Sequence, residues 1–199
     1  MLSPEQSDAL TEVINIGFSR AASALSELTG HRVLLDPPKV DIYPISELGK
    51  ALKLIIGGEI ASVHQICSGP VAGDAMLILS RDDATTLARM LTDDNRKNRT
   101  LDVTDQEVLM ETGNILLSAC LGTFGNLLQV HIAFTVPRLH VEDLGGLLDS
   151  LIIGSEELRY GLVVFANFRL RDSAIGGYLV MVLGVASLDR LIVEVEKLG

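Results

Sequence analysis

Sliding the sequence 99 residues along itself superposes Leu10 on Leu109, Glu12 on Glu111, Asn15 on Asn114, Ile16 on Ile115, Ser19 on Ser118, Leu28 on Leu127 and Pro38 on Pro137. All but the proline match fall within residues 8–30 and their copy, a density that unrelated segments do not reach. An internal duplication constrains the fold more than any local pattern, because whatever unit the first half forms, the second must form again. Residues 92–100 are wholly polar and read as the linker between the halves. The expected organisation is one domain, 1–199, built of two repeats at about 1–95 and 101–199.

Local signals then populate each half. Ser3, Pro4 and Gln6 form a capping box with proline at the first helical position, predicting a helix to about Leu28 that stops at Gly30. β-branched and apolar texture predicts strands near 39–45, 60–68 and 74–80, with 52–59 a further short strand. Residues 82–91 read as an amphipathic helix. In the second half, Thr104 and Glu107 read as another capping box, opening a helix over 105–128. Strands near 132–140, 160–169 and 174–184 and a last helix, 187–198, complete the repeat. The fold class is α+β, an α/β sandwich: a pseudo-two-fold duplicated α-β-β-β-α unit with a mixed sheet of about six strands and two long helices.

On the first long helix, positions 10, 14, 17, 21, 25 and 28 carry Leu, Ile, Gly, Ala, Leu and Leu, a stripe at helical spacing that must face the core. The copied stripe is Leu109, Gly113, Leu116, Cys120, Phe124 and Leu127. The opposite faces carry Asp8, Glu12, Asn15, Ser19, Ser23 and Ser26, and Glu107, Glu111, Asn114, Ser118, Gly122 and Gly125. A solvated face is ordinarily dressed with Lys, Arg and Glu; Ser, Asn and Gly sacrifice helix propensity and let another molecule approach closely. Glu12 and Asn15 lie at i, i+3 and therefore point into one patch of solvent, as do Glu111 and Asn114. An exposed Glu beside an exposed Asn is ordinary surface taken singly. Its recurrence, in a duplication that has replaced most other helix residues, points to a shared role.

Composition removes other classes. The 26 acidic and 16 basic side chains leave a net charge of −10, and the only dense basic run is Arg96, Lys97 and Arg99, so nucleic acid is not an expected partner. The longest apolar stretch, 178–188, is too short for a spanning helix, and the amino terminus has no secretory pattern, so neither a membrane nor export is expected and the location is cytoplasmic. Cys67 and Cys120 lack CxxC spacing and read as buried thiols. His31, His64, His131 and His140 show no metal-ligand spacing, so no metal and no cofactor of its own is expected.

The pattern Asp8-x3-Glu12-x2-Asn15-x22-Pro38, met again as Glu107-x3-Glu111-x2-Asn114-x22-Pro137, resembles the signature of the CheC family of chemotaxis phosphatases. In that family an Asp or Ser, then Glu, Asn and Pro recur in two halves; Glu107 departs from the first position. Flagellar-switch relatives carry a further binding domain and CheX relatives keep one motif, so two complete motifs resemble the two-motif members of the family. The resemblance implies hydrolysis of the aspartyl phosphate on the response regulator CheY. Glu12 and Glu111 would pair with the regulator's active-site Lys, and Asn15 and Asn114 would orient the attacking water. Mg2+ would be supplied by the bound regulator. Phosphorylated CheY is thus the expected partner, with the receptor deamidase CheD a second one; a non-catalytic adaptor for either is the alternative.

Overall fold

The computed structural model describes residues 3–92, 101–152, 159–170 and 173–197. The first half runs α1 (Pro4–Thr29), β1 (Val33–Leu35), β2 (Lys39–Pro44), α2 (Ile45–Ile55), β3 (Glu59–Ser68), β4 (Gly73–Ser80) and α3 (Arg81–Thr92). The second repeats that order as α4 (Val103–Leu127), β5 (Ala133–Phe134), β6 (Arg138–Asp143), α5 (Leu144–Ile152), β7 (Arg159–Leu170), β8 (Ser173–Gly184) and α6 (Val185–Glu196). The α+β class and the duplication hold, but the unit is α-β-β-α-β-β-α rather than α-β-β-β-α. The sequence conceals α2 and α5 in the same way. Leu48 and Leu52, and Leu144, Leu147 and Leu148, have helical spacing, but each run is short and interrupted by Gly49 or by Gly145 and Gly146.

Among the described residues the sheet has eight strands where about six were expected, and every pairing in it is antiparallel rather than mixed. Its order is β1-β7-β8-β4-β3-β5, with β2 also on β7 and β6 also on β3. The halves are therefore interlocked: β1 and β2 pair with a strand of the second half, and β5 and β6 with a strand of the first. The axis relating them passes through the β4–β8 pair, where Gly73 faces Leu183 and Ile78 faces Tyr178.

Helices cover both faces. Ala61, Val63, Leu77, Leu79, Val164, Leu179 and Met181 pack under α1, α3, α4 and α6 in one core. Ile60, Met76, Ile78, Val163, Val180 and Val182 pack under α2 and α5 in a second core. A sheet buried on both faces reads as continuous apolar runs, as 75–79 and 179–183 do.

The predicted start of α1 is observed in full: Ser3 Oγ accepts from Gln6 N at 3.2 Å while Ser3 N donates to Gln6 Oε1 at 2.7 Å. Gly30 ends the helix at φ 67°, a left-handed conformation that costs glycine nothing. The second box is displaced from its expected place. Asp102 caps α4, its Oδ1 accepting from Asp105 N at 3.0 Å while Asp105 Oδ2 accepts from Asp102 N at 3.1 Å. An aspartate two residues earlier caps as well as threonine does, so Thr104 and Glu107 lie inside the first turns. Pro38 and Pro137 directly precede β2 and β6. Residues 93–100, read as the linker, lie outside the described residues.

Candidate functional site

The capping box of α1 sets its phase. Leu10, Val13, Ile14, Gly17, Phe18, Ala21 and Leu25 are buried, leaving Asp8, Glu12 and Ser19 exposed and Asn15 half-buried. On α4, Leu109, Gly113, Leu116, Leu117, Cys120, Leu121 and Phe124 are buried, Glu107 and Glu111 are exposed, and Asn114 and Ser118 are half-buried. Each predicted Glu-Asn pair thus lies on an outward face. The ends of the expected stripes differ: Leu28 is 55% exposed, and Leu127 is only half-buried.

The two helices pack directly against each other. A Cβ on Gly17 would stand 2.9 Å from Cys120 Cα, and Arg20 Nη1 donates to Thr123 Oγ1 at 3.5 Å across the contact. Both pairs therefore belong to one helical layer. Two small residues expected to leave room for a partner serve the fold instead. Ser26 Oγ accepts from Val33 N at 2.9 Å, tying α1 to β1, and Gly125 is buried where a Cβ would meet Val130 O at 3.0 Å. Gly122 does stand open, with nothing within 4 Å of an added Cβ.

Neither carboxylate, Glu12 or Glu111, has a partner among the described residues, nor does the Asn15 amide. Ser19 Oγ turns back to the Asn15 backbone carbonyl at 2.9 Å and leaves that amide open. Asn114 differs. Its Oδ1 accepts from Gln65 Nε2 at 3.1 Å and from Ser118 Oγ at 3.4 Å. Gln65, on β3 and 2% exposed, also donates to Thr135 O at 3.0 Å. Gln65 and Thr135 escaped the sequence reading. The signal was present: Ala61, Val63 and Cys67 face the helix layer at alternate positions, and Gln65 interrupts that apolar line.

Groups suited to other chemistry lie off these faces. Burial pushes the Cys67 thiol up to about 11 and the Cys120 thiol to about 12, so neither is a ready nucleophile. His64 Nε2 lies 3.0 Å from Asp74 Oδ1 within the β3–β4 ladder, and among the described residues no three His, Cys, Asp or Glu side chains converge to hold a metal. By length and composition α4 could cross a membrane, but its apolar residues pack against α1 and the sheet.

Outside this chain, the CheC-like family model matches residues 5–42, the segment that holds Asp8, Glu12, Asn15 and Pro38. The CheY-P phosphatase CheC of Bacillus subtilis is 26% identical over 156 residues, covering 73% of this chain and 71% of that one. The chain is thus similar to the CheC family. Its fold is that of Thermotoga maritima FliY, with a TM-score of 0.80 at 17% identity over 99% of this chain and 98% of the other. A more distant likeness is the CheX-CheY-BeF3-Mg2+ complex from Borrelia burgdorferi, with a TM-score of 0.50 at 17% identity over 83% and 95%. The segment that the family model matches thus holds the first motif helix, and the second copy of the motif lies on α4, packed beside it.

Proposed function

We propose that this CheC-like protein hydrolyses the aspartyl phosphate of a CheY-type response regulator, one regulator docking on each motif helix. The observation that carries the reading is the pair of outward Glu-x2-Asn patches, repeated on adjacent helices, whose two carboxylates have no partner within the described chain. A relative named for CheY-P phosphatase activity and a similarly folded CheX found with CheY and Mg2+ support it.

In this reaction a water oxygen bonds to phosphorus as the bond to the aspartate carboxylate breaks, leaving inorganic phosphate and a free carboxylate. The transition state is loose, so catalysis rests on positioning and on charge already in place. The regulator brings its own Mg2+ and Lys, and the protein needs no cofactor. Glu12 and Glu111 engage that Lys and set the docking angle. Asn15 and Asn114 hold the water in line through their side-chain amides, whose N–H groups can donate to its oxygen. No nucleophile on this chain is needed. A cytoplasmic location follows from such a partner.

The test is decay of phosphate-labelled CheY with and without the protein. Acceleration that is lost in a variant carrying Glu12→Ala, Asn15→Ala, Glu111→Ala and Asn114→Ala supports the reading. An unchanged half-life at saturating protein leaves the adaptor alternative, binding of CheY-P or of CheD without hydrolysis, which co-sedimentation with each partner then separates.

A further inference from the structure

Of the two amides, one is held by the fold and the other is not, and the difference traces to two positions. Register relates the halves: Arg138 of β6 faces His64 of β3, and its counterpart Lys39 of β2 faces Phe165 of β7. Gln65 therefore corresponds to Ala166, a buried residue that offers no hydrogen bond. Gly113 corresponds to Ile14. A Cβ on Gly113 would stand 2.5 Å from Val63 Cγ1, so the bare glycine lets α4 settle onto β3 and brings Asn114 within reach of Gln65. In the first half both the approach and the partner are missing.

The orientation of Gln65 is decided by its surroundings. Its two amide protons go to two carbonyl oxygens, Asn114 Oδ1 and Thr135 O; reversed, its own oxygen would face both acceptors. Its Oε1 is buried with no partner among the described residues, so the side chain is held through its amide protons alone.

Resting on the phosphatase reading, we propose that Gln65 is a positioning residue for Asn114. With Gln65 and Ser118 both donating to Oδ1, the oxygen is turned inward and saturated, and the Asn114 Nδ2 donors are presented to the docked regulator. The α4 site is pre-set in one amide orientation. The α1 site, where Ala166 takes the place that Gln65 holds in the other half, must order its amide on docking, and ordering a group at the moment of reaction costs rate.

The experiment is a double-mutant cycle on phosphorylated CheY. In a background carrying Glu12→Ala and Asn15→Ala, where only the α4 site works, Gln65→Ala should lower kcat about tenfold with KM unchanged. In a background carrying Glu111→Ala and Asn114→Ala it should change neither. A loss of similar size in both backgrounds, or in neither, overturns the proposal. Gln65→Met, which fills nearly the same volume but cannot donate to Asn114, guards against a packing artefact and should lower kcat at least as far. A second readout is independent of phosphatase activity. The side-chain amide resonances of Asn114 in a 15N-labelled protein should shift and broaden in Gln65→Ala, while those of Asn15 stay put. If the Asn114 resonances do not move, the clamp is refuted whether or not the protein hydrolyses CheY-P; if they move but the wild type never hydrolyses CheY-P, the proposed function alone fails.

Discussion

Asn15 and Asn114 occupy matching positions, yet their removal should not cost the fold equally. Asn15 has no side-chain partner among the described residues, so Asn15→Ala should change stability by no more than about 0.5 kcal/mol. Asn114→Ala strands a buried Gln65 N–H and should cost about 1–3 kcal/mol. Denaturant titration of the two variants checks the difference. The thiols give a second expectation at this scale. Cys67 and Cys120 keep their protons to about 11 and about 12 when folded but lose them near 9.0 when unfolded, because burial disfavours the thiolate. Above pH 9 the unfolded chain thus holds fewer protons than the folded one, and this contribution to stability falls as pH rises toward 11 and 12. Urea midpoints at pH 8 and pH 10 should diverge less in Cys67→Ala with Cys120→Ala than in the wild type.

Among the elements, α4 depends on close approach more than on helix propensity. Gly113→Ala improves propensity by up to about 1 kcal/mol but drives a methyl into β-branched Val63, a contact that only a shift of the helix relieves, at about 1–3 kcal/mol. The variant should melt lower despite the better helix former, and Asn114 should lose its bond to Gln65. The caps give a milder expectation. Ser3→Ala and Asp102→Ala each remove a box that satisfies two backbone or side-chain partners, and each should lower stability by about 1 kcal/mol in thermal unfolding. Glu107→Ala should change little, since Glu107 is exposed and Asp105 closes the α4 box.

For the whole molecule, the interlocked sheet sets the rule. A first repeat expressed alone, residues 1–95, would leave β1 and β2 without β7, β3 without β5 and β6, and β4 without β8. Four strands would show open edges and two cores would be halved, so the fragment should be unfolded or self-associated. Circular dichroism and sedimentation of the fragment, alone and mixed with residues 101–199, check this; a folded monomer would refute the interlocking. The same architecture places the two motif faces in one layer on separate helices. Variants lacking Glu12 and Asn15, or lacking Glu111 and Asn114, should each retain hydrolysis, and loss of all activity in either would mean a single composite site.

The duplication, the two long helices, the cap at Ser3 and the outward faces of Glu12, Asn15, Glu111 and Asn114 are all legible in the sequence. Each rests on short-range geometry: a cap joins residues three apart, and a helical face repeats every turn. The short helices α2 and α5 were not legible, because runs of 11 and nine residues with internal glycine carry too few turns for periodicity to outweigh apolar texture. Nor was the pairing of β1 and β2 with the opposite half, since a strand's edge does not encode which strand will meet it. The same limit hid the inequality of the two sites. Asn15 and Asn114 are identical letters at identical spacing; what separates them is a glutamine 49 residues from Asn114, on a strand that the missing Cβ of Gly113 allows the helix to touch. Contacts of that range are fixed by packing, and only the folded chain decides them.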